Sequence, residues 1–94
     1  MRLTPEETET IKCTLDEIFG ESEIILFGSR LDDNLKGGDI DLFIIPREPT
    51  NLLSKKIKAL ARLERRLSKP VDLLIHKDFD REIEKEALGG VRLS

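Results

Sequence analysis

The chain has 94 residues, of which 37% are charged, and a formal net charge of −3. That length supports one domain, residues 1–94, with a modest core and a total stability on the order of 5–15 kcal/mol. A second substrate-binding domain does not fit, so whatever the chain acts on must be small or be presented by a partner. The net acidity argues against a nucleic-acid binder held by bulk charge. No apolar run approaches the ~18 residues of a membrane span and no leader peptide is visible, so a cytoplasmic location is expected.

In chain order, Thr4-Pro5-Glu6-Glu7 predicts a helix start. Thr4 suits the cap, Pro5 the first helical position, and Glu7 completes a capping box. Ile11, Leu15, Ile18 and Phe19 then share one face, and Gly20 ends the helix. Cys13 is the lone cysteine. It has no metal-spaced neighbours and reads as a small packing residue. Ile24 to Phe27 is a short apolar strand, expected to be buried on both faces. Gly28-Ser29 turns the chain, with a short helical segment expected near Ser29 to Leu31. Asp32-Asp33-Asn34 and Lys36-Gly37-Gly38 are loop composition. A second strand runs from about Asp39 to Ile45 and is closed by Pro46.

Thr50 or Asn51 is placed to cap a long helix from about Leu52 to Leu67. Leu53, Ile57, Leu60, Glu64 and Leu67 follow helical spacing there, an apolar stripe broken only by Glu64. Pro70 bars extension, and Val71 to Ile75 is a third strand. Asp78 is placed to cap a last helix in which Phe79, Ile83 and Ala87 share a face, and Gly89-Gly90 ends it. Val91-Arg92-Leu93 fits a frayed tail or a short edge strand equally well. The order predicts an α+β fold, a small mixed sheet with helices on one side. With no Trp or Tyr, the four Phe residues read as core, and no aromatic platform for nucleic acid is visible.

Three carboxylates stand inside apolar strands: Asp39, Asp41 and Asp72. Strand side chains alternate, so Asp39 and Asp41 are expected on one face with Cα atoms about 6.6 Å apart. Like charges on a buried strand are costly unless a cation answers them. Two-metal phosphoryl-transfer sites hold ions about 3.5–4 Å apart, which such a pair can bracket. The Gly28-Ser29 turn adds backbone N–H groups and a hydroxyl suited to phosphate oxygens. His76, after the third strand, reads as a surface residue and is given no part.

The sequence Phe27-Gly28-Ser29-Arg30, then Gly38-Asp39-Ile40-Asp41-Leu42, then Val71-Asp72-Leu73-Leu74, resembles the minimal nucleotidyltransferases of the DNA polymerase β superfamily. The resemblance spans nearly the whole chain. The loop from Arg30 to Gly38 is one residue shorter than in many relatives, and Gly38 stands where many have Ser. The resemblance implies a nucleotidyltransferase fold and an NTP, expected to be ATP, bound with two Mg²⁺ ions. It implies that Asp39 and Asp41 ligate metal, that Asp72 completes the metal site and helps activate an acceptor hydroxyl, and that Gly28, Ser29 and Arg30 bind the phosphates. Chains this short in the family commonly accompany a HEPN-domain toxin. The resemblance therefore implies a hetero-oligomer in which the chain acts as antitoxin by transferring AMP to a tyrosine of that toxin. A small-molecule or RNA-end acceptor, and a binding module without turnover, stay open as alternatives.

Charge is unevenly distributed. Residues 1–23 hold seven acids against Arg2 and Lys12, and residues 50–69 hold seven bases against Glu64. The basic stretch reads either as a solvated helix face or as a partner surface.

Overall fold

The computed structural model describes residues 3–28 and 40–94. Ser29, Arg30 and Asp39, the helical segment expected near Ser29 to Leu31 and the loop from Asp32 to Gly38 lie outside the described residues. Among the described residues the order is α1 (Pro5–Phe19), β1 (Ser22–Phe27), β2 (Ile40–Pro46), α2 (Leu52–Leu67), β3 (Val71–Ile75), α3 (Glu82–Leu88) and β4 (Val91–Arg92). This is an α+β fold around a mixed sheet of order β3-β2-β1-β4. β1 runs antiparallel to both β2 and β4, whereas β2 and β3 are parallel. A parallel pair needs a crossover, and α2 supplies it.

α1 begins as its sequence requires. The Glu7 N–H donates to Thr4 Oγ1 at 3.1 Å, and the Thr4 N–H donates to Glu7 Oε1 at 2.9 Å. Ile11, Leu15 and Phe19 are buried, and Gly20 is the C-terminal cap. Cys13 departs from expectation. It is exposed, with Sγ 3.4 Å from Glu9 Oε1, because it lies off the stripe that Ile11 and Leu15 define.

The sheet is apolar on both faces. Ile24, Leu26, Ile40, Leu42, Ile44 and Leu73 form one core with α1 and α2. Ile25 and Phe43 point the other way and pack against Ala87 of α3. The helices therefore cover both faces, not one, because the alternation in β1 and β2 leaves a second apolar surface to bury. β4 is an edge strand, Val91 opposite Leu26 and Arg92 opposite Ile25. Gly90 makes this possible, since a Cβ there would run into the Leu26 carbonyl oxygen and lie 2.9 Å from Phe27 Cβ.

α2 differs in phase from its predicted stripe. Ala59, Leu63 and Leu67 are buried, whereas Leu53 and Ile57 are 73% and 62% exposed. Two overlapping stripes exist on this helix, and contacts to α1 select between them. Arg66 Nη1 donates to Thr14 Oγ1 at 2.7 Å and Lys69 Nζ to Glu7 Oε2 at 2.6 Å. Arg62 and Arg66 lie 3.8 and 3.7 Å from Glu17 Oε2. Part of the basic stretch is thus answered by the acidic helix beside it. Neither expected cap forms on α2, because Asn51 is left-handed (φ 53°) and makes no side-chain cap bond. Thr50 Oγ1 instead accepts from Lys55 Nζ. Among the described residues no helix is long and apolar enough to cross a membrane.

Candidate functional site

The strand register lines up three residues across the sheet. Phe27 of β1 stands opposite Asp41 of β2, and Asp41 stands opposite Asp72 of β3. Neighbouring strands lie about 4.8 Å apart, so the two carboxylates are adjacent on one face. It is the α3 side of the sheet, since Asp41 alternates with the buried Ile40 and Leu42 of the α1–α2 core. Asp41 is half-buried and Asp72 exposed.

Gly28, immediately after β1, closes against this row. Its φ is +78°, a left-handed conformation that costs a side chain energy. A Cβ on it would run into the Asp41 carboxylate, 3.2 Å from Cγ. The backbone of the turn and the carboxylate thus occupy one small volume.

Like charges directly opposite each other on neighbouring strands destabilise a sheet, by roughly 0.2–1 kcal/mol. Paired carboxylate oxygens are hard donors, the chemistry that magnesium takes. Among the described residues no group of three or more His, Cys, Asp or Glu is placed to hold a metal ion. Asp41 and Asp72 make a pair. Of the residues singled out in the sequence, the structure brings together Gly28, Asp41 and Asp72, while Ser29, Arg30 and Asp39 lie outside the described residues.

A second polar cluster was not anticipated. Glu84, on α3, is fully buried. Its Oε2 accepts from the Lys77 and Asp78 N–H groups at 2.8 and 2.9 Å and from Arg81 Nη1 at 3.1 Å, and its Oε1 lies 2.6 Å from His76 Nδ1. Burial alone would raise this carboxyl, but the donors from Asp78, His76 and Lys77 outweigh it and hold the group at about 2. α3 starts at Glu82, so Asp78 does not cap it. Asp78 instead closes the preceding turn, accepting from the Asp80 N–H. The predicted face of Phe79 and Ile83 is correspondingly half-exposed. Phe79 stacks on His76 at 3.9 Å instead of entering the core. His76 follows Asp72 on the same face by four residues, about 13 Å along the strand. The cluster therefore ties β3 to α3 and does not reach the carboxylate row. The available signal was Glu84 itself, an acid in the first turn of a short helix with N–H groups just upstream.

A family model described as "Nucleotidyltransferase domain" matches residues 8–93. No curated protein matches the chain.

Proposed function

We propose, on the premise that this chain belongs to the nucleotidyltransferase domain family, that it transfers AMP from ATP to a hydroxyl, that of a tyrosine on a HEPN-domain toxin, and so acts as antitoxin in the cytoplasm. Family membership carries nucleotidyl transfer in general. The acceptor and the antitoxin role are our reading. The observation supporting this reading is the adjacency of Asp41 and Asp72 on one sheet face, with the Gly28 turn against them.

Roles follow by residue. Asp41, with Asp39 two positions before it, would hold divalent cations, and Asp72 would complete that set. Bound there, two Mg²⁺ ions would offset the triphosphate charge and lower the pKa of the acceptor hydroxyl. Gly28 and Ser29 would present backbone N–H groups and a hydroxyl to the β- and γ-phosphates, with Arg30 adding charge. Asp72 would accept the acceptor hydroxyl's proton as its oxygen bonds to the α-phosphorus. The bond from the α-phosphorus to the bridging oxygen breaks, and pyrophosphate leaves.

The test is incubation of the purified chain with α-labelled ATP, Mg²⁺ and the HEPN protein, read as label on the partner. Label should appear with Mg²⁺ and vanish with chelator. Label on RNA ends or small molecules in place of the protein would reassign the acceptor. No transfer to any hydroxyl by a folded, ATP-binding chain would sink the reading.

A further inference from the structure

Helix α2 carries two apolar stripes, and the fold uses one. Ala59, Leu63 and Leu67 are buried, whereas Leu53 and Ile57 stand 73% and 62% exposed. They share an i, i+4 spacing that Ala61, also exposed, continues. One turn of side chain this exposed, repeated along a helix, is a binding pattern more than incidental surface.

The direction of the second stripe is fixed by its neighbours. Arg62 and Arg66 reach Glu17 on α1, which places α1 on one flank of α2. Glu64 belongs to the opposite flank, in line with Leu53 and Ile57, and its Oε2 accepts the N–H of Val71 at 3.0 Å. Val71 opens β3, the outer strand of the sheet. The exposed stripe therefore lies on the flank of α2 turned toward the outer edge of β3, the strand that carries Asp72.

Charge selects the occupant. Three of the bases in this region are taken up within the chain, Arg62 and Arg66 by Glu17 and Lys69 by Glu7. Among the described residues Lys58 and Arg65 make no ion pair, and on the helical wheel both border the exposed stripe on its α1 side, whereas Lys56 shares the arc of the buried Ala59 and Leu63. A second copy of this chain docked through the same stripe would bring base against base. A partner helix with an acidic flank would meet opposite charge along the Lys58 and Arg65 side.

We infer that Leu53, Ile57 and the bases beside them form a docking surface for an apolar, acid-flanked helix of a partner protein, seated next to the edge of β3. This rests on the reading that the acceptor hydroxyl belongs to a partner, because docking here would bring that partner beside the strand bearing Asp72.

The surface is testable without ATP, which separates its failure from failure of the transfer reading. Two synthetic amphipathic helices serve as probes, alike in their leucine face, one with glutamate flanks and one with lysine flanks. Fluorescence anisotropy should show the glutamate peptide binding at least about tenfold tighter than its twin, with the preference shrinking in high salt. The double substitution Leu53→Ser with Ile57→Ser should weaken binding about tenfold or more. Lys58→Glu with Arg65→Glu should reverse the peptide preference. Both sets lie on exposed positions, so melting temperatures should match the parent and certify the fold. Equal binding of the two peptides, or binding untouched by either pair, would overturn the assignment. So would a concentration-dependent dimer of the chain that dissociates on Leu53→Ser with Ile57→Ser, since the stripe would then serve a second copy.

Discussion

Gly28 and Asp41 depend on each other, and that dependence can be measured. Ala at position 28 would meet two separate costs. One is the left-handed φ of +78°, about 1 kcal/mol for an L-residue. The other is the collision of its Cβ with the Asp41 carboxylate, of the kind that costs roughly 1–3 kcal/mol when space is lacking. The collision disappears when Asp41 is shortened, whereas the φ cost stays. Gly28→Ala in the Asp41→Ala background should therefore destabilise less than in the parent, with a coupling of roughly 0.5 kcal/mol or more in urea unfolding. Strict additivity would show that the turn and the carboxylate move independently. Glu84 supplies a second expectation at this scale. Its folded value of about 2 lies below the ordinary 4.5, so the folded state prefers the carboxylate. Its contribution is complete above about 4.5 and is lost as pH falls toward 2. Glu84→Gln keeps the shape but cannot ionise. It should lower stability at neutral pH by about 1–3 kcal/mol, the cost of poorly met buried N–H groups, and should flatten the acid limb of stability between those values. A limb of unchanged steepness would show that other carboxylates carry acid unfolding.

At the scale of the element, α2 tests which stripe is the core. Leu63→Ala should cost roughly 2–5 kcal/mol, since it empties a fully buried site, while Leu53→Ala should stay within about 0.5 kcal/mol. Equal losses in chemical denaturation would restore the stripe through Leu53 and Ile57 to the interior. The contrast with α1 shows what a sequence makes legible. α1 is written locally: its cap, its first-position proline, its stripe and its terminal Gly20 all lie within the helix or beside it. β1 and β2 are equally plain, because short apolar runs bounded by Gly and Pro admit few other readings. α2 offers two stripes that overlap near Leu60 and Leu67, and only its partner α1, forty residues away in sequence and more, chooses between them through Thr14, Glu7 and Glu17. β4 was ambiguous for the same reason. Two residues form a strand there because β1 offers them an edge and Gly90 lets the chain approach it. Glu84 was hard to read because two of its four partners are backbone N–H groups of a turn, and His76 reaches it only once α3 packs beside the end of β3.

The whole molecule assembles its candidate site from three strands that the sequence keeps far apart. Gly28 ends β1, Asp41 sits near the start of β2, and Asp72 joins them only because the α2 crossover lays β3 parallel to β2 in matched register. The Asp-x-Asp spacing was visible in the sequence, but the adjacency of Asp41 and Asp72 is a product of topology. That adjacency gives opposite predictions for stability and for activity. Asp72→Asn is nearly isosteric and lies at an exposed position, so the strand should keep its packing. It removes one of two like charges placed directly opposite each other, so without ligand the melting temperature should stay level or rise slightly. Asp41 and Asp39 would remain to hold the cation that accompanies the triphosphate. Mg²⁺ with ATP should therefore still raise the melting temperature of the variant, and chelator should abolish that rise, as ligand linkage requires. Transfer should respond quite differently. The side chain can no longer accept the acceptor's proton or complete the donor set, and general-base help alone is typically worth ~10²–10⁴-fold. Label transfer should fall by at least that factor. Asp41→Asn should behave in the other order, losing most of the Mg²⁺-dependent thermal shift along with transfer. Wild-type transfer by a well-folded Asp72→Asn variant would remove Asp72 from the chemistry and leave its place opposite Asp41 a matter of sheet register alone.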